Sequence, residues 1–196
     1  MTNEEILSIF KQSNALLEGH FQLTSGLHSP QYFQCAKVLQ YPRHAATLCG
    51  IIAGRFKTEH IDVVIAPALG GIVVGQEVGR QLDARTLFAE RKNGAMQLRR
   101  GFEIKQGERV LVCEDVITTG GSVSEVITIV KCLGGAVAGV GAIVDRSGGA
   151  VALENLFATI TMKVITYAPD KCPLCANGVP VHKPGSRENN PTGKNA

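Results

Sequence analysis

Between residues 60 and 167, short apolar runs rich in β-branched residues alternate with segments of helical periodicity, and this alternation most constrains the fold. Strands of this kind are buried on both faces, and helices between them favour a parallel sheet covered on both sides. The sequence therefore predicts an α/β fold with a central, mainly parallel sheet flanked by helices. The predicted strands are "DVVIAP", "ARTLFAE", "RVLVCED" and "AVAGVGAIVD", with one or two edge strands in "FATITMKVITYA".

The residues before this alternation have a different pattern and predict a small N-terminal subdomain. Residues 3–17 have apolar positions at helical spacing, with Thr2 or Asn3 as the cap. Residues 21–34 predict short strands joined by turns, and Pro42 is expected to open a helix that ends near Lys57.

These patterns divide the chain into three parts. Residues 1–40 are expected to form an N-terminal helix and a hood over a ligand site. Residues 41–182 are expected to form the core. Residues 183–196, "KPGSRENNPTGKNA", are polar and rich in Pro and Gly, so we expect a flexible tail.

Composition narrows the class of protein. The 196 residues, 44% of them hydrophobic, suit one domain with a substantial core. A net charge of +3 with 5% aromatic residues suits an anionic small molecule, and we expect no nucleic-acid partner. No apolar run reaches the roughly 18 residues that span a bilayer, so no membrane partner is expected. Cysteines standing singly in apolar or helical contexts favour reduced thiols and a cytoplasmic location.

The segment "RVLVCEDVITTGGSVSEVITIV", residues 109–130, predicts a strand, a loop and a helix. Glycines in such a loop let the backbone approach an anion, and the N–H groups of the helix start attract phosphate. The side chains of Thr118, Thr119 and Ser122 can donate further hydrogen bonds. The loop is therefore suited to a phosphate monoester.

Two adjacent acids, Glu114 and Asp115, end the strand before this loop. Carboxylates accept hydrogen bonds from a pair of sugar hydroxyls, and they favour a cation that develops on the sugar. Together with the loop they predict a ribose 5-phosphate site. The alternative is that the acids simply end a strand and that the loop is an ordinary turn.

"VLVCEDVITTGGSV", residues 110–123, resembles the ribose-phosphate and pyrophosphate binding motif of the type I phosphoribosyltransferases. The resemblance implies the type I phosphoribosyltransferase fold and 5-phosphoribosyl 1-pyrophosphate as a substrate. It also implies Mg²⁺ that is held mainly through the substrate, without a firm protein ligand. It also implies that residues across the motif bind this substrate: Glu114, Asp115, Val116, Ile117, Thr118, Thr119, Gly120, Gly121 and Ser122.

Three further stretches resemble orotate phosphoribosyltransferases of the longer bacterial and archaeal branch. They are "FQLTSGLHSPQYF", "ERKNGAMQLRRGFEI" and "AIVDRSGG", and their order and spacing extend the resemblance over nearly the whole chain. The implied reaction transfers ribose 5-phosphate to orotate N1, giving orotidine 5′-monophosphate and pyrophosphate in pyrimidine (UMP) biosynthesis. The implied orotate contacts are Thr118, Arg146, Ser25, Gly26 and Phe33.

The residues themselves leave some of these roles open. A guanidinium can grip the orotate carboxylate with two hydrogen bonds, but Arg146 could instead pair with Asp145 or Glu154 on the surface. Phe33 could pack on the pyrimidine ring or lie in the core.

The segment "APALGG", residues 66–71, resembles the family's pyrophosphate loop. Gly70 and Gly71 start a predicted helix, which suits an anion. The family often has a non-proline cis peptide here, which would join Ala68 and Leu69. The resemblance implies that Ala68, Leu69, Gly70 and Gly71 bind the pyrophosphate. The alternative is an ordinary strand-to-helix turn.

Four cations lie in the segment that resembles the family's mobile loop: Arg91, Lys92, Arg99 and Arg100. A run of this kind is usually a solvated face, but cations also stabilise the charge on a leaving pyrophosphate. In the family this loop closes over the active site of the other subunit, so the resemblance implies a homodimer. It implies substrate binding by Arg91 and Lys92, and catalysis by all four cations with Asp115.

The sequence departs from the better-known form of the family at several positions. Gly70 replaces a lysine of the pyrophosphate loop, and Thr24 replaces the lysine before the Ser-Gly turn. The mobile loop is shorter and lacks the Lys and His of the other branch, so Arg99 or Arg100 is expected to supply the missing charge.

The C-terminal segment "DKCPLCANGVPVHKPG" contains a Cys-x-x-Cys pair, Cys172 and Cys175, followed by His182. Zinc usually takes four ligands, so a zinc site here needs a ligand from elsewhere. A redox pair and a structural turn are the alternatives.

Three rival functions share part of this pattern. A purine phosphoribosyltransferase has the same motif but does not need Arg146 or this N-terminal subdomain. A transcription regulator that senses 5-phosphoribosyl 1-pyrophosphate would be expected to carry an added nucleic-acid-binding segment or a strong basic face. An NAD-binding domain is disfavoured because no Gly-x-Gly-x-x-Gly follows the first strand.

Overall fold

A helix and a β-hairpin open the chain in the computed structural model, which describes residues 1–23 and 25–184. Helix α1 spans Asn3–Gln12, and the antiparallel strands β1 (Leu16–Gln22) and β2 (His28–Phe33) form the hairpin. Thr2 caps α1 in a capping box with Glu5, as one of the two predicted caps.

The prediction of one helix over residues 3–17 is wrong at its end. Asn14 adopts a left-handed conformation with φ 51°, and the Ala15 N–H donates to the Phe10 carbonyl at 2.8 Å. This arrangement ends α1, because a residue in that conformation cannot continue the helix. Leu16 and Leu17 therefore belong to β1, although their spacing matched the helix.

The core follows as a six-stranded sheet with order β5-β4-β3-β6-β7-β8. All neighbouring strands are parallel except β5, which runs antiparallel to β4. The strands are β3 (Val63–Pro67), β4 (Arg85–Lys92), β5 (Ala95–Leu98), β6 (Arg109–Ile117), β7 (Ala136–Asp145) and β8 (Leu156–Thr161). The helices are α2 (Cys35–Leu39), α3 (Pro42–Phe56), α4 (Gly70–Leu82), α5 (Gly121–Cys132) and α6 (Pro173–Ala176).

Alternate residues of the buried strands pack on opposite faces of the sheet, as the period of two requires. Val64 and Ala66 pack with α3 and α4 in one apolar cluster. Val63 and Ile65 pack with the apolar face of α5 in the other. Helices therefore cover both faces of the central strands, as predicted from their continuous apolar runs.

The C-terminal segment returns to the N-terminal hairpin. The Tyr167 and His28 backbones exchange two hydrogen bonds of 2.8 Å on one side of the hairpin. On the other side, the Gln22 N–H donates to the His182 carbonyl and the His182 N–H donates to the His20 carbonyl, both at 2.8 Å. The hairpin is therefore extended on both edges by residues from the far end of the chain.

A short 3₁₀ helix (Pro169–Lys171) and α6 lie between these two attachments. The predicted flexible tail, residues 183–196, lies outside the described residues from 185 onward. Within the part of the chain that the structure describes, no helix combines the length and the apolar character needed to cross a bilayer.

Candidate active site

Glu114 and Asp115 lie near the carboxyl end of β6, a central strand of the sheet, where ligands bind in open α/β folds. Glu114 is buried, and its Oε1 accepts a hydrogen bond from the Asp115 N–H at 3.0 Å. Asp115 is half-buried, and its Oδ1 accepts one from the Val116 N–H at 2.9 Å. Both carboxyl groups are therefore held by the strand that carries them.

Burial raises the pKa of Glu114 to about 9, and the negative charge of Asp115 adds to the shift. Desolvation disfavours the charged form of a carboxyl group. Glu114 therefore keeps its proton at neutral pH, so that this carboxyl can both donate and accept hydrogen bonds to a hydroxyl.

The loop after β6 leads directly into α5, as the sequence predicted. Gly120 adopts a left-handed conformation with φ 75°, and a Cβ there would lie 2.8 Å from Val151 Cγ1. No side chain caps α5 in the described structure, so its first N–H groups have no side-chain acceptor there, and residues 114 and 116–123 line a concavity at this helix start. The side chains of Thr118 and Thr119 are exposed at the same place.

Ile117 contributes its backbone and not its side chain. The side chain is buried in the core, and the carbonyl accepts a hydrogen bond from the Arg146 N–H at 2.8 Å. Val116 is half-buried and lines the concavity. The hydrogen bond from Arg146 to Ile117 therefore joins the ends of β6 and β7 beside the loop that leads into α5.

The segment between β3 and α4 faces the same acids. The peptide bond between Ala68 and Leu69 is cis, as the family resemblance implied. A Cβ on Gly70 would overlap the Asp115 carboxylate, and one on Gly71 would lie 3.0 Å from Glu114 Oε1. Glycine at these positions therefore leaves room for the two acids against the start of α4.

Arg146 follows β7 and lines a cavity of about 560 Å³. Its Nε is buried and has no hydrogen-bond partner among the described residues. Burial lowers the pKa of the guanidinium, because keeping this group away from water disfavours its charged form. The cavity is lined by Leu23, Ser25, Tyr32, Thr118, Thr119, Arg146, Val164 and Thr166.

The surface ion pairs considered for Arg146 are not formed. Asp145 instead accepts hydrogen bonds from the Ser147 N–H at 2.8 Å and the Gly149 N–H at 3.2 Å. Glu154 and Arg146 form no salt bridge in the described part of the chain. Arg146 is therefore left with unmet hydrogen-bonding capacity inside a cavity.

The N-terminal hairpin covers this cavity with Ser25 and Tyr32. Of the two roles left open for Phe33, the structure favours the core, where its ring meets Phe10 edge to face at 5.8 Å. Phe33 also contributes to the wall of a neighbouring cavity. Sequence reasoning missed Tyr32, although the alternation of side chains along a strand predicts that neighbours face opposite sides.

Gly26 supports the turn and is not among the residues that line the cavity. Its φ is 82°, and its N–H donates to the Leu23 carbonyl at 2.9 Å. The Gly26 amide is therefore already paired within the turn, while Ser25 is exposed to the cavity.

Of the four cations of the predicted mobile loop, Arg91 and Lys92 lie at the end of β4, and Arg99 and Arg100 directly follow β5. Arg91 pairs with Glu125 of α5 at 2.7 Å, whereas Arg99 and Arg100 both pair with Glu90. Lys92 has no salt bridge among the described residues. None of these four is among the residues that line the cavities beside Asp115, the loop before α5 or Arg146.

Cys172 and Cys175 meet two histidines from the N-terminal hairpin, His20 and His28. His182, the predicted companion of the cysteine pair, is exposed and lies outside this group, and it contributes its backbone to the sheet edge instead. Sequence spacing gave no signal for these histidines, since they are far from the cysteines along the chain.

Comparison with known proteins agrees with this geometry. A family model described as a phosphoribosyl transferase domain matches residues 36–169. A protein from Chlorobaculum parvum named orotate phosphoribosyltransferase is 60% identical over 190 residues, which cover 96% of this chain and 98% of the relative. One of the same name from Caldicellulosiruptor saccharolyticus is 56% identical over 189 residues, covering 96% and 99%.

Solved structures share the fold. An orotate phosphoribosyltransferase from Aeropyrum pernix matches with a TM-score of 0.67 and 24% identity, over 81% of this chain and 94% of that one. An adenine phosphoribosyltransferase from Rhodothermus marinus matches with a TM-score of 0.64 and 20% identity, over 82% and 100%. At these identities the likeness shows the fold alone, and enzymes for different bases have it. The family model and the near-full-length relatives show that this chain belongs to the type I phosphoribosyltransferases, in the orotate phosphoribosyltransferase family.

Proposed function

We propose that this chain transfers ribose 5-phosphate from 5-phosphoribosyl 1-pyrophosphate to N1 of orotate, in the biosynthesis of pyrimidine nucleotides. The observation that carries the proposal is the half-buried guanidinium of Arg146, whose buried Nε has no partner among the described residues and which lines a cavity with Thr118 and Thr119. A purine base has no carboxylate to match this cation, whereas orotate has one. The names of the near-full-length relatives support the same base.

Different elements of the fold bind the different parts of the two substrates. The 5-phosphate binds the N–H groups and hydroxyls of residues 118–122, at the start of α5. The ribose hydroxyls bind Glu114 and Asp115, and the pyrophosphate lies toward the start of α4 at Leu69, Gly70 and Gly71. The orotate carboxylate binds Arg146, with Ser25 and Tyr32 over the ring.

In the reaction, the bond between ribose C1 and the pyrophosphate oxygen breaks, and the leaving group takes the electron pair. The orotate N1 lone pair forms the new bond to C1 with inversion. C1 gains positive charge at the transition state, and the nearby Asp115 carboxylate favours that charge. The protein then acts mainly by positioning the two substrates and by electrostatics, because an anionic orotate nitrogen needs no general base.

The donors at the site fit Mg²⁺ carried by the substrate. Oxygen ligands suit Mg²⁺, and the half-buried Asp115 carboxylate offers them, whereas a protonated Glu114 is a weak ligand. Most ligands would therefore be phosphate and ribose oxygens, with no firm protein ligand. Bound there, Mg²⁺ would neutralise charge on the pyrophosphate.

We further propose a homodimer in which the β4–β5 hairpin of one subunit reaches the active site of the other. Arg91, Lys92, Arg99 and Arg100 lie on or directly after this hairpin and line none of the cavities near Asp115 in their own chain. The exposed apolar side chains of Tyr41, Leu69 and Val73 support a contact with a second copy.

A cytoplasmic location is part of the same proposal. All six cysteines are free, and Cys35, Cys49 and Cys113 are buried among apolar side chains. Free thiols of this kind persist most readily in a reducing compartment.

The direct test follows orotate absorbance in the ultraviolet with 5-phosphoribosyl 1-pyrophosphate and Mg²⁺, together with pyrophosphate release. We expect orotate to disappear in proportion to the pyrophosphate formed. Turnover of adenine or hypoxanthine but not orotate would contradict the proposal and favour a purine enzyme. Binding of 5-phosphoribosyl 1-pyrophosphate without turnover of any base would favour a regulator.

A further inference from the structure

The cluster of His20, His28, Cys172 and Cys175 lies outside the proposed catalytic site and brings together two distant segments of the chain. The ligand atom of each residue lies within 4.8 Å of the other three. The two imidazoles come from β1 and β2 of the N-terminal hairpin, and the two thiols come from the turn that contains α6. Both histidines and Cys172 are buried, while Cys175 is exposed.

The distances in this cluster match a tetrahedral metal centre. Cys172 Sγ lies 3.5 Å from His20 Nε2, and Cys175 Sγ lies 3.7 Å from His20 Nε2 and 3.3 Å from His28 Nδ1. With zinc–nitrogen bonds of about 2.0 Å and zinc–sulfur bonds of about 2.3 Å, the nitrogen–sulfur edges of a tetrahedron are about 3.5 Å. The two imidazole nitrogens are 2.9 Å apart and would separate by a few tenths of an ångström, roughly, around an ion.

The hydrogen bonding of His20 fixes the nitrogen that faces the cluster. Its Nδ1–H donates to the Val179 carbonyl at 2.7 Å, so the lone pair of Nε2 points toward the other three residues. Metal-bound histidines usually have this support from a carbonyl or carboxylate on the far side of the ring. Val179 itself belongs to the segment that carries the cysteines, so the same contact ties the two segments together.

The segment around the cysteines has little buried apolar surface to hold it in place. In residues 169–183, all of them described, Cys172 is the one buried side chain. Helix α6 has four residues, none buried, and its turn is closed by bonds from the Ala176 N–H to the Cys172 carbonyl and from the Gly178 N–H to the Cys175 carbonyl. An apolar core therefore does not explain the order of this segment.

We propose that His20, His28, Cys172 and Cys175 bind one Zn²⁺ ion in a closed structural site. Two thiolates and two neutral imidazoles in tetrahedral arrangement select zinc over Mg²⁺ or Ca²⁺, which prefer oxygen ligands. Four protein ligands fill the coordination sphere, so the ion has no open position for catalysis. It joins the C-terminal segment to the hairpin, whose connecting turn carries Ser25.

The test measures metal in the full-length protein purified without chelators. We expect about one zinc per chain in the wild type, falling below about one tenth in Cys175→Ser. Cys175 is the exposed ligand, so this variant is the least disruptive to folding. Cys132→Ser is the matched control, because Cys132 is also exposed but lies at the end of α5, and it should keep its zinc.

Cobalt provides a second readout that does not depend on enzymatic activity. Co²⁺ added to the zinc-depleted, reduced wild type should give the intense visible bands of tetrahedral cobalt and a thiolate-to-cobalt charge-transfer band. Both should weaken strongly in Cys175→Ser and persist in Cys132→Ser.

Three results would overturn the proposal. The first is a wild-type protein that contains no zinc and takes up none on dialysis against ZnCl₂ under reducing conditions. The second is equal zinc in the wild type and Cys175→Ser. The third is a Cys172–Cys175 disulfide in the isolated protein, seen by mass after alkylation, which would assign the pair to redox chemistry.

Discussion

Arg146 and Glu114 are both ionisable side chains at the site, and burial acts on them in opposite directions. It lowers the pKa of the arginine and raises that of the glutamate, which in both cases disfavours the charged form. Glutamate responds by keeping its proton. Arginine stays charged at any ordinary pH, so Arg146 favours an anionic partner, and the carboxylate of the proposed substrate orotate would supply one.

Replacing Arg146 tests this assignment. We expect Arg146→Lys to raise the KM for orotate by roughly 30-fold, about 2 kcal/mol, because lysine cannot hold a carboxylate with two parallel hydrogen bonds. The KM for 5-phosphoribosyl 1-pyrophosphate should stay within about twofold, since its ligands are elsewhere. Initial-rate kinetics measure both constants.

Arg55→Lys is the matched control for this change, because Arg55 lies on the exposed end of α3 and bonds Asn155 and Glu59. It should change neither KM. An unchanged KM for orotate in Arg146→Lys would contradict the proposed contact between Arg146 and the orotate carboxylate.

Glu114 gives a prediction for pH. Its folded-state pKa of about 9 lies above the value in the unfolded chain, so the folded protein holds a proton that the unfolded protein loses. Its contribution to stability is complete below the unfolded pKa and is lost as pH rises toward 9. Between these limits stability should fall by about 1.4 kcal/mol per pH unit from this group alone.

Glu114→Gln should remove that slope, because the amide mimics the protonated acid and does not titrate. Urea unfolding of both proteins between roughly pH 6 and pH 8 measures the difference in the free energy of unfolding. Parallel curves for the two proteins would show that Glu114 is ionised in the folded state.

At the scale of helices and strands, the apolar runs predicted the central elements closely. Strand β7 spans the ten predicted residues, and α3 begins at Pro42 and ends one residue before the predicted Lys57. These elements are buried on most sides, so their ends coincide with a change from apolar to polar residues. The end of α1 was missed because apolar residues continue at helical spacing past Asn14.

The sequence did not predict the features that depend on tertiary contacts. Strand β5 lies in a basic segment with no apolar run, and it exists because it pairs with β4. The approach of His20 and His28 to the cysteine pair depends on how the two ends of the fold meet. Among the candidate site residues, the loop after β6 and the two acids before it could be predicted to lie together because they are contiguous in the chain.

The turn into α5 can be tested with neighbouring glycines. Gly120→Ala should destabilise the protein by about 1–3 kcal/mol, because φ is 75° there and the new Cβ meets Val151. Gly121→Ala is the control, since its Cβ would meet only Thr119 Oγ1, at an ordinary 3.7 Å. Thermal unfolding measures both, and equal melting temperatures would contradict the described turn.

At the scale of the whole molecule, the proposed dimer places parts of each active site on different chains. A variant with Asp115→Asn has a defect in the part of the active site that the central sheet carries. A variant with both Arg91→Ala and Lys92→Ala has a defect in the β4–β5 hairpin. Each alone should be nearly inactive. Unfolded together and refolded in equal amounts, they should recover about a quarter of wild-type activity, because half of the dimers are mixed and each has one intact site.

Mixing Asp115→Asn with Asp115→Ala is the control and should recover nothing, since both defects lie in the core. A mixture of core and hairpin variants that stays inactive, in protein shown to be dimeric by light scattering, would mean that the hairpin does not serve the partner.

The N-terminal hairpin is flanked by residues from much later in the chain, and this separation affects the order in which parts of the fold can form during translation. The hairpin leaves the exit tunnel early, yet Cys172 and Cys175 are 152 and 155 residues further along the chain than His20. His182, whose backbone extends the hairpin, emerges later still. Until those residues emerge, the strands that cover the proposed orotate cavity lack their flanking chain, so the nascent protein can build its six-stranded sheet before the hairpin is complete at its edges.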